Sequence, residues 1–513
     1  MNRRQFVSSA AGAAMFPRIV RSFRSSPQIT HGIQIGDPLS DRAIVWARAD
    51  RPSRLMVEYS RTENFSGMRR ISGPVVDANS DFTGRVDLRS LQGGQTYFVR
   101  VRFEDRDGKS LSDPVQGHFR TAPDRPRDIR FVWSADTVGQ GYGINPEFGG
   151  MRIYETMRRL EPDFFIHCGD TIYADNPVPA EIRLPGGAIW KNITTEAKSK
   201  VAETLAEFRG NYHYNLLDEN IRRFNAAVPQ IWQWDDHEVH NNWSPGLDLR
   251  DDPAYKVKDI RILSQRSRQA FLEYSPIRFD SRSRIYRRIS YGPLLDIFML
   301  DLRSYRAANN FNRQQSESSE TAYFGIDQLS WLEHDLKTSR ATWKVISSDM
   351  PLGIIVPDGR DAQNRERYEN SSNGDGPPAG RELEIVRLLR FMRENRIRNV
   401  VWLTADVHYT AAHFYDPARA QFKDFDPFWE FVSGPLNAGT FGPNAPDNTF
   451  GIQVVYQKLP LGNDPDRSPM AGMQFFGEVQ IESRTRSLTV NLRDVAGSVL
   501  FSKSLEPVPG HGL

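Results

Sequence analysis

Several short stretches of this chain place acidic or imidazole residues directly after an apolar run. They read FVWSADTVGQG (131–141), FFIHCGDTIYAD (164–175), QIWQWDDHEVHNNW (230–243) and VVWLTADVHYTAAH (400–413), and SSDMP (347–351) adds a further acidic strand end at Asp349. Carboxylates, a tyrosine and histidines at the C-terminal ends of buried strands are the donors of a two-metal hydrolytic site. Asp170 can bridge two cations, because each of its oxygens can hold one. Tyr173, expected one helical turn later on the same side, offers a hard anionic donor suited to ferric ion rather than zinc. Asp136 ends the preceding strand, and sequential strands usually pack together, so its side chain is expected to meet Asp170. In the row Asp235, Asp236, His237, one carboxylate can reach a metal while His237 points toward substrate. Asp406 and His408 are two apart, which on a strand puts both on one face. Taken singly, each such residue is more often a cap or a buried hydrogen-bonding group; together in one segment they point to a metal centre.

These donors need elements to hold them. From His31 to about Thr121 the text alternates apolar and polar residues between turn signals, as in AIVWARA, RLMVEYS and TYFVRVRFEDRDG, which predicts a small β-sandwich over 29–122. DRDG at 105–108 reads as its hairpin turn, and Trp46 and Tyr97 as core residues. After the Pro-rich 121–127 segment the pattern changes to apolar strands alternating with helical stretches such as GGMRIYETMRRLEP, FGIDQLSWLEHDLKTS and RELEIVRLLRFMRENR. That alternation predicts an α/β layered domain over 128–505. Residues 357–380, polar and rich in Gly and Pro, read as a disordered loop or a lid. Trp190, Trp232, Trp234, Trp243, Phe428 and Trp429 could line a groove for an organic group, although such aromatics are more often core.

Bulk properties narrow the field. At 513 residues two domains are the natural expectation. Lys+Arg 66 against Asp+Glu 64 gives a formal charge of +2, which offers no electrostatic reason to expect nucleic acid or an anionic membrane. The single cysteine, Cys168, excludes an internal disulfide or a cysteine-cluster metal site and reads as a buried core residue. No apolar run reaches the roughly 20 residues that span a bilayer. The opening MNRRQFVSSAAGAAMF, with Arg3 and Arg4 before an Ala-rich stretch, resembles a twin-arginine export signal over residues 1–28. The expectation is therefore export by the twin-arginine machinery to the periplasm or the extracellular space.

The segments GDPLSDRAIVWAR (36–48), GDTIY, WDDHE, LDLRSYR (300–306), WKVISSDM, GRELEI (380–385), TADVH and FVSGPLNAGTF (431–441) resemble the PhoD-like (alkaline phosphatase D) family of metallophosphoesterases, related in layout to purple acid phosphatases. The resemblance covers nearly the whole chain beyond its first residues. It implies a fibronectin type III-like N-terminal β-sandwich and a four-layer metallophosphoesterase sandwich. It places Asp136, Asp170, Tyr173 and His408 around a first metal, expected to be ferric, and Asp170, Asp236, Asp349 and Asp406 around a second. An all-carboxylate second site favours calcium, manganese or magnesium. Better-known members carry cysteine where this chain has Asp136, which alters the preference of the first site.

That reading implies hydrolysis of small phosphate esters, with monoesters as leading substrates and release of inorganic phosphate by a metal-activated hydroxide. His237 is the candidate acid for the leaving oxygen. Arg303, and more weakly Arg306, are candidates for phosphate contact, with a surface salt bridge as the alternative for each. His240, Asn241 and Asn242 are expected to support the pocket. The alternatives are a phosphodiesterase or phospholipase D-like hydrolase and, from another class, an inactive cell-surface binding protein.

Overall fold

The structure is a computed structural model, and it describes residues 26–460 and 467–508. The twin-arginine stretch lies outside the described residues. A seven-stranded sheet and a nine-stranded sheet face each other, with helices on both outer sides. The chain is thus an α/β protein with four layers, helix–sheet–sheet–helix.

The nine-stranded sheet runs, edge to edge, through Val499–Leu505, Leu488–Asp494, Phe475–Ile481, Ile129–Ser134, Phe164–His167, Gln230–Trp232, Ile29–Gly36, Ala43–Ala49 and Thr83–Leu88. The seven-stranded sheet runs through Arg287–Ser290, Leu295–Met299, Trp343–Ser347, Val400–Thr404, Phe428–Val432, Thr410–Tyr415 and Ile452–Lys458. Between them lies a dry core that includes Phe131, Trp133, Ile166, Cys168, Val345 and Leu403. The central strands are buried on both faces, which is why they read as continuous apolar runs rather than alternating ones. Helices Arg152–Arg158, Leu205–Asn215, Glu219–Ala227 and Ile260–Tyr274 cover one outside, and Ile326–Thr338 and Glu382–Glu394 the other. Helix Leu205–Asn215 starts at a reciprocal cap between Thr204 and Glu207.

The N-terminal strands form a sandwich. Ile29–Gly36, Ala43–Ala49 and Thr83–Leu88 face a second sheet of Arg69–Val76, Ser53–Ser60, Thr96–Asp105 and Val115–Arg120. Strand Thr96–Asp105 alternates buried and half-buried residues, the signature of one face inward. The sandwich is not a separate bead, because its first sheet continues into the nine-stranded sheet. Gly36 pairs in parallel with Gln230, and a Cβ at Gly36 would lie 2.7 Å from the Gln230 carbonyl oxygen and 2.3 Å from that of Pro276. Only glycine allows this approach.

Three expectations change here. Trp46 is not in the sandwich core: its neighbours Val45 and Ala47 face that core, so the period of two turns Trp46 to the other face, where its Nε1 donates to the Glu273 carbonyl at 2.7 Å. The aromatic set does not line one shared groove: Phe428 and Trp429 border one cavity and Trp232 another. Trp232, Trp234 and Trp243 belong to the core under the helices, Phe428 to the opposite outer core, Trp429 packs against the inter-sheet core, and Trp190 packs with Tyr142. Residues 357–380 are not one loose loop. They form a hairpin, Pro357–Arg360 with Glu366–Tyr368, followed by the buried run Glu369 to Asn373.

Candidate metal centre

Ile129–Ser134, Phe164–His167 and Gln230–Trp232 are consecutive parallel neighbours in one sheet. Trp343–Ser347 and Val400–Thr404 are parallel neighbours in the other. Each strand releases the chain at the same end, into the loops that carry Asp136, Asp170 to Tyr173, Asp235 to His237, Asp349, and Asp406 with His408. Hydrogen bonds cross between these loops: Thr137 N–H to the Asp170 carbonyl (3.0 Å), Ala174 N–H to that of His237 (2.7 Å) and Ala405 N–H to that of Asp349 (2.8 Å).

The local backbone differs from the expectation. Asp406 and His408 do not share a strand face, since the strand ends at Thr404. Tyr173 lies in an irregular loop rather than a helical turn. Convergence comes instead from left-handed backbone at Asp136 (φ 64°), Asp170 (φ 53°), Asp406 (φ 66°) and His408 (φ 55°). Non-glycine residues there cost energy that the surrounding structure must offset, and such positions cluster at functional sites.

These turns bring the donors together. One donor atom each from Asp136, Asp170 and His408 lie within 4.8 Å of one another, as do those of Asp170, Asp236 and His237, and those of Asp235, Asp236 and Asp406. Asp170 is common to the first two groups. The Tyr173 hydroxyl lies 2.8 Å from His408 Nε2. His408 Nδ1 donates to the Gly439 carbonyl at 2.5 Å, which fixes the tautomer and leaves Nε2 as the acceptor. Asp349 is in none of these three groups, and its Oδ2 lies 3.2 Å from Arg303 Nε.

Four residues that hold this arrangement do not stand out in the sequence. The buried Glu238 accepts the backbone N–H groups of Asp170 (3.0 Å), Thr171 (2.6 Å) and Asp235 (2.8 Å), tying the GDTIY loop to the WDDHE loop. Asp175 accepts from His237 Nδ1 at 2.7 Å while the His237 ring stacks on Tyr173, centroids 4.1 Å apart. Lys198, buried, donates to the Tyr173 carbonyl at 2.6 Å. Gly434 leaves room for Asp136: a Cβ there would stand 2.2 Å from its Oδ2. Glu238 and Asp175 lie inside motifs already singled out, so their types were visible; their partners were not. Asn242 donates its N–H to Asp236 Oδ2 at 2.6 Å and Asn241 its N–H to Asp175 Oδ2 at 2.8 Å, which places both as pocket supports. The His240 side chain turns to the Asn241 carbonyl at 2.7 Å.

Neither arginine is a surface salt bridge. Arg303 is wholly buried and Arg306 nearly so. Arg306 donates from Nη2 to Asn309 at 2.9 Å, and Arg303 is surrounded by acidic side chains.

The electrostatics show what this crowding means. Burial, then Asp236 and Glu238, push Asp136 up to about 8. Burial also lifts Asp170, Asp235 and Asp406 well above the usual carboxylate range, with neighbouring acids adding to it. Asp236 falls to about 2, because His237, Arg303 and the N–H groups of Asn242 and His237 outweigh its burial. His237 is raised: burial opposes its charge, and Asp175, Asp236 and Asp170 overcome that. Burial lowers His408 to about 3, keeping it neutral. Both Asp136 oxygens and Asp235 Oδ2 are buried without a hydrogen-bond partner. Orphaned carboxylate oxygens in a buried site are costly unless cations meet them, so the residues present fit a metal centre with oxygen-rich donors.

Fold and site together define a metal-dependent hydrolase. The profile of the PhoD-like phosphatase family matches residues 131–492, and that of the family's N-terminal domain matches 14–123. The chain belongs to the PhoD-like phosphatase family and is a hydrolase acting on phosphoric esters. It is 27% identical over 501 residues to alkaline phosphatase D of Bacillus subtilis (strain 168), covering 90% of this chain and 81% of that protein. A solved structure of PhoD aligns with TM-score 0.68 at 20% identity, over 96% of this chain and 94% of that one. A purple acid phosphatase from yellow lupin (Lupinus luteus) seeds aligns with TM-score 0.55 at 12% identity, over 94% and 74%.

Proposed function

We propose that this chain is an exported alkaline phosphatase that hydrolyses phosphate monoesters and releases inorganic phosphate. The observation that carries this reading is Asp170, whose carboxylate lies within 4.8 Å of donor atoms of Asp136 and His408 and also of Asp236. Asp136, Asp170, Tyr173 and His408 would hold one cation, for which the phenolate favours ferric ion. Asp170, Asp236 and Asp406 would hold a second, for which carboxylates favour calcium, manganese or magnesium. Such cations supply an activated water and neutralise charge on the phosphoryl oxygens.

The chain's own residues do the rest. His237 is the proton donor to the leaving oxygen: Asp175 grips Nδ1 and, against the burial of the ring, favours its protonated form. The hairpin after residue 356 is tied to the loop that follows WDDHE, where Asp358 accepts from Asn242 Nδ2 at 3.0 Å, and Asp358 also accepts from Asn309 Nδ2 at 2.9 Å. A hairpin tied beside the centre favours small esters with one organic group. The test pairs elemental analysis of the purified protein with a panel of monoesters and diesters. Faster turnover of diesters across the panel would give the phosphodiesterase reading its place, and metal-replete protein inert to both would point to a binding protein. Export is tested by replacing Arg3 and Arg4 with lysine in an N-terminal fusion to a reporter that is active only outside the cytoplasm.

A further inference from the structure

Arg303 is wholly enclosed, with a side-chain exposure of 0%. Each nitrogen of its guanidinium lies beside a carboxylate, although Nη2 makes no hydrogen bond. Nε and Nη2 lie 2.7 and 2.6 Å from Asp235 Oδ1, Nε lies 3.2 Å from Asp349 Oδ2, and Nη1 lies 2.5 Å from Glu369 Oε1. Nη2 is also 3.6 Å from Asp406 Oδ1 and 3.9 Å from Asp236 Oδ1. Five carboxylates around the fork, Asp235, Asp236, Asp349, Glu369 and Asp406, make it a poor contact for a substrate phosphate.

The side chain is also held from behind. Asp301 Oδ1 accepts the Arg303 N–H at 3.2 Å and Trp234 Nε1 at 2.8 Å. Glu369 belongs to the run after the 357–368 hairpin, where the buried Arg381 binds the carbonyls of Tyr368 and Glu369 at 2.8 and 2.9 Å. The guanidinium therefore joins acids from the WDDHE loop, the SSDM strand end and the run after the hairpin.

We propose that Arg303 is a built-in cation of the centre. It takes the carboxylate-rich side where a metal was expected to gather Asp349, withdraws Asp349 from metal ligation, and leaves the exchangeable cations to the Asp136–Asp170–His408 and Asp170–Asp236 positions. A planar, permanently charged fork satisfies several fixed carboxylates at once, whereas a divalent ion placed there would have to displace it. The inference rests on the metal-centre reading above.

Calcium-binding stoichiometry tests it, with the full chain dialysed to equilibrium and ions counted by elemental analysis. Asp349→Asn should retain the wild-type number of ions. Arg303→Gln should free Asp235, Asp349 and Glu369 and gain about one calcium per chain, with a thermal midpoint that now rises as calcium is added. Arg303→Lys, which keeps the charge, should retain the wild-type count. The inference is overturned if Asp349→Asn loses an ion, or if Arg303→Gln binds no more than wild type. Should Arg303→Gln fail to fold even with calcium present, Asp349→Asn alone decides by the same criterion. A wild-type chain that binds no cation at all would instead overturn the metal reading itself.

Discussion

Asp175 holds His237 by a 2.7 Å contact to Nδ1, and that contact sets both the direction and the charge of the imidazole. Asp175→Asn removes the largest favourable influence on the protonated ring. Without it, the ring loses its proton at lower pH, so the alkaline limb of the kcat profile should move toward acid. Turnover at pH 9 should fall by roughly ten- to a hundredfold. His237→Gln should cost at least as much, and the double variant little more, because the pair acts as a unit. An unchanged alkaline limb in Asp175→Asn would remove His237 from the acid role.

Asp170→Asn should be the most damaging single change, because this residue belongs to two donor groups. Turnover should fall by about a thousandfold or more, and elemental analysis should show depletion at both positions. Tyr173→Phe should act on one position only. If iron occupies the first site, the visible phenolate-to-iron absorption should vanish in that variant while the second ion stays.

Gly434→Ala separates packing from chemistry. The added methyl would lie 2.2 Å from Asp136 Oδ2, so the carboxylate has to move. An overpacked buried site costs on the order of 1–3 kcal/mol, which the fold should survive. The first cation should bind at least tenfold more weakly, read by competition with a chelator. Retained affinity would mean that Asp136 does not ligate. Asp136→Cys is the companion change: with room for a smaller side chain and a softer donor, the first site should shift toward softer ions in a metal-competition assay.

Much of this was legible in the sequence, for physical reasons that particular residues illustrate. Strands buried on both faces write themselves as runs such as FVWS and VVWLT, and loops at their ends carry the chemistry, so Asp136, Asp170, Asp236, Asp406 and His408 stood out by type and place. Their route to one another was not legible. The left-handed backbone at Asp406 and His408 depends on contacts from the other loops, and a period-of-two argument could not foresee it. Trp46 shows the same limit: its own strand looked like part of an isolated sandwich, and only the pairing of Gly36 with Gln230 gives its outer face something to pack on. Arg303 was seen as a phosphate contact because nothing local reveals that Asp235, Asp349 and Glu369 arrive from three distant segments.

Glu382, at the start of helix Glu382–Glu394 and outside the candidate centre, gives a pH-dependent prediction. Its Oε2 accepts from Ala379 N–H at 3.0 Å and Asn373 Nδ2 at 3.1 Å, while Oε1 is buried without a partner. Burial, then the nearby Asp447, push it up to about 9. The folded chain thus keeps a proton that the unfolded chain releases near the ordinary glutamate value of 4.5. The contribution is fully present below that value and is lost as pH rises through about 9, since the unfolded state binds fewer protons across that window. Glu382→Gln keeps the shape and stays neutral at every pH. It should match wild type near pH 4.5 and be more stable at pH 9. The expected gain is several kcal/mol, about 6 for the full shift at about 1.36 kcal/mol per pH unit. Urea midpoints at the two pH values measure this directly, and an equal difference at both would mean that Glu382 is already ionised in the fold.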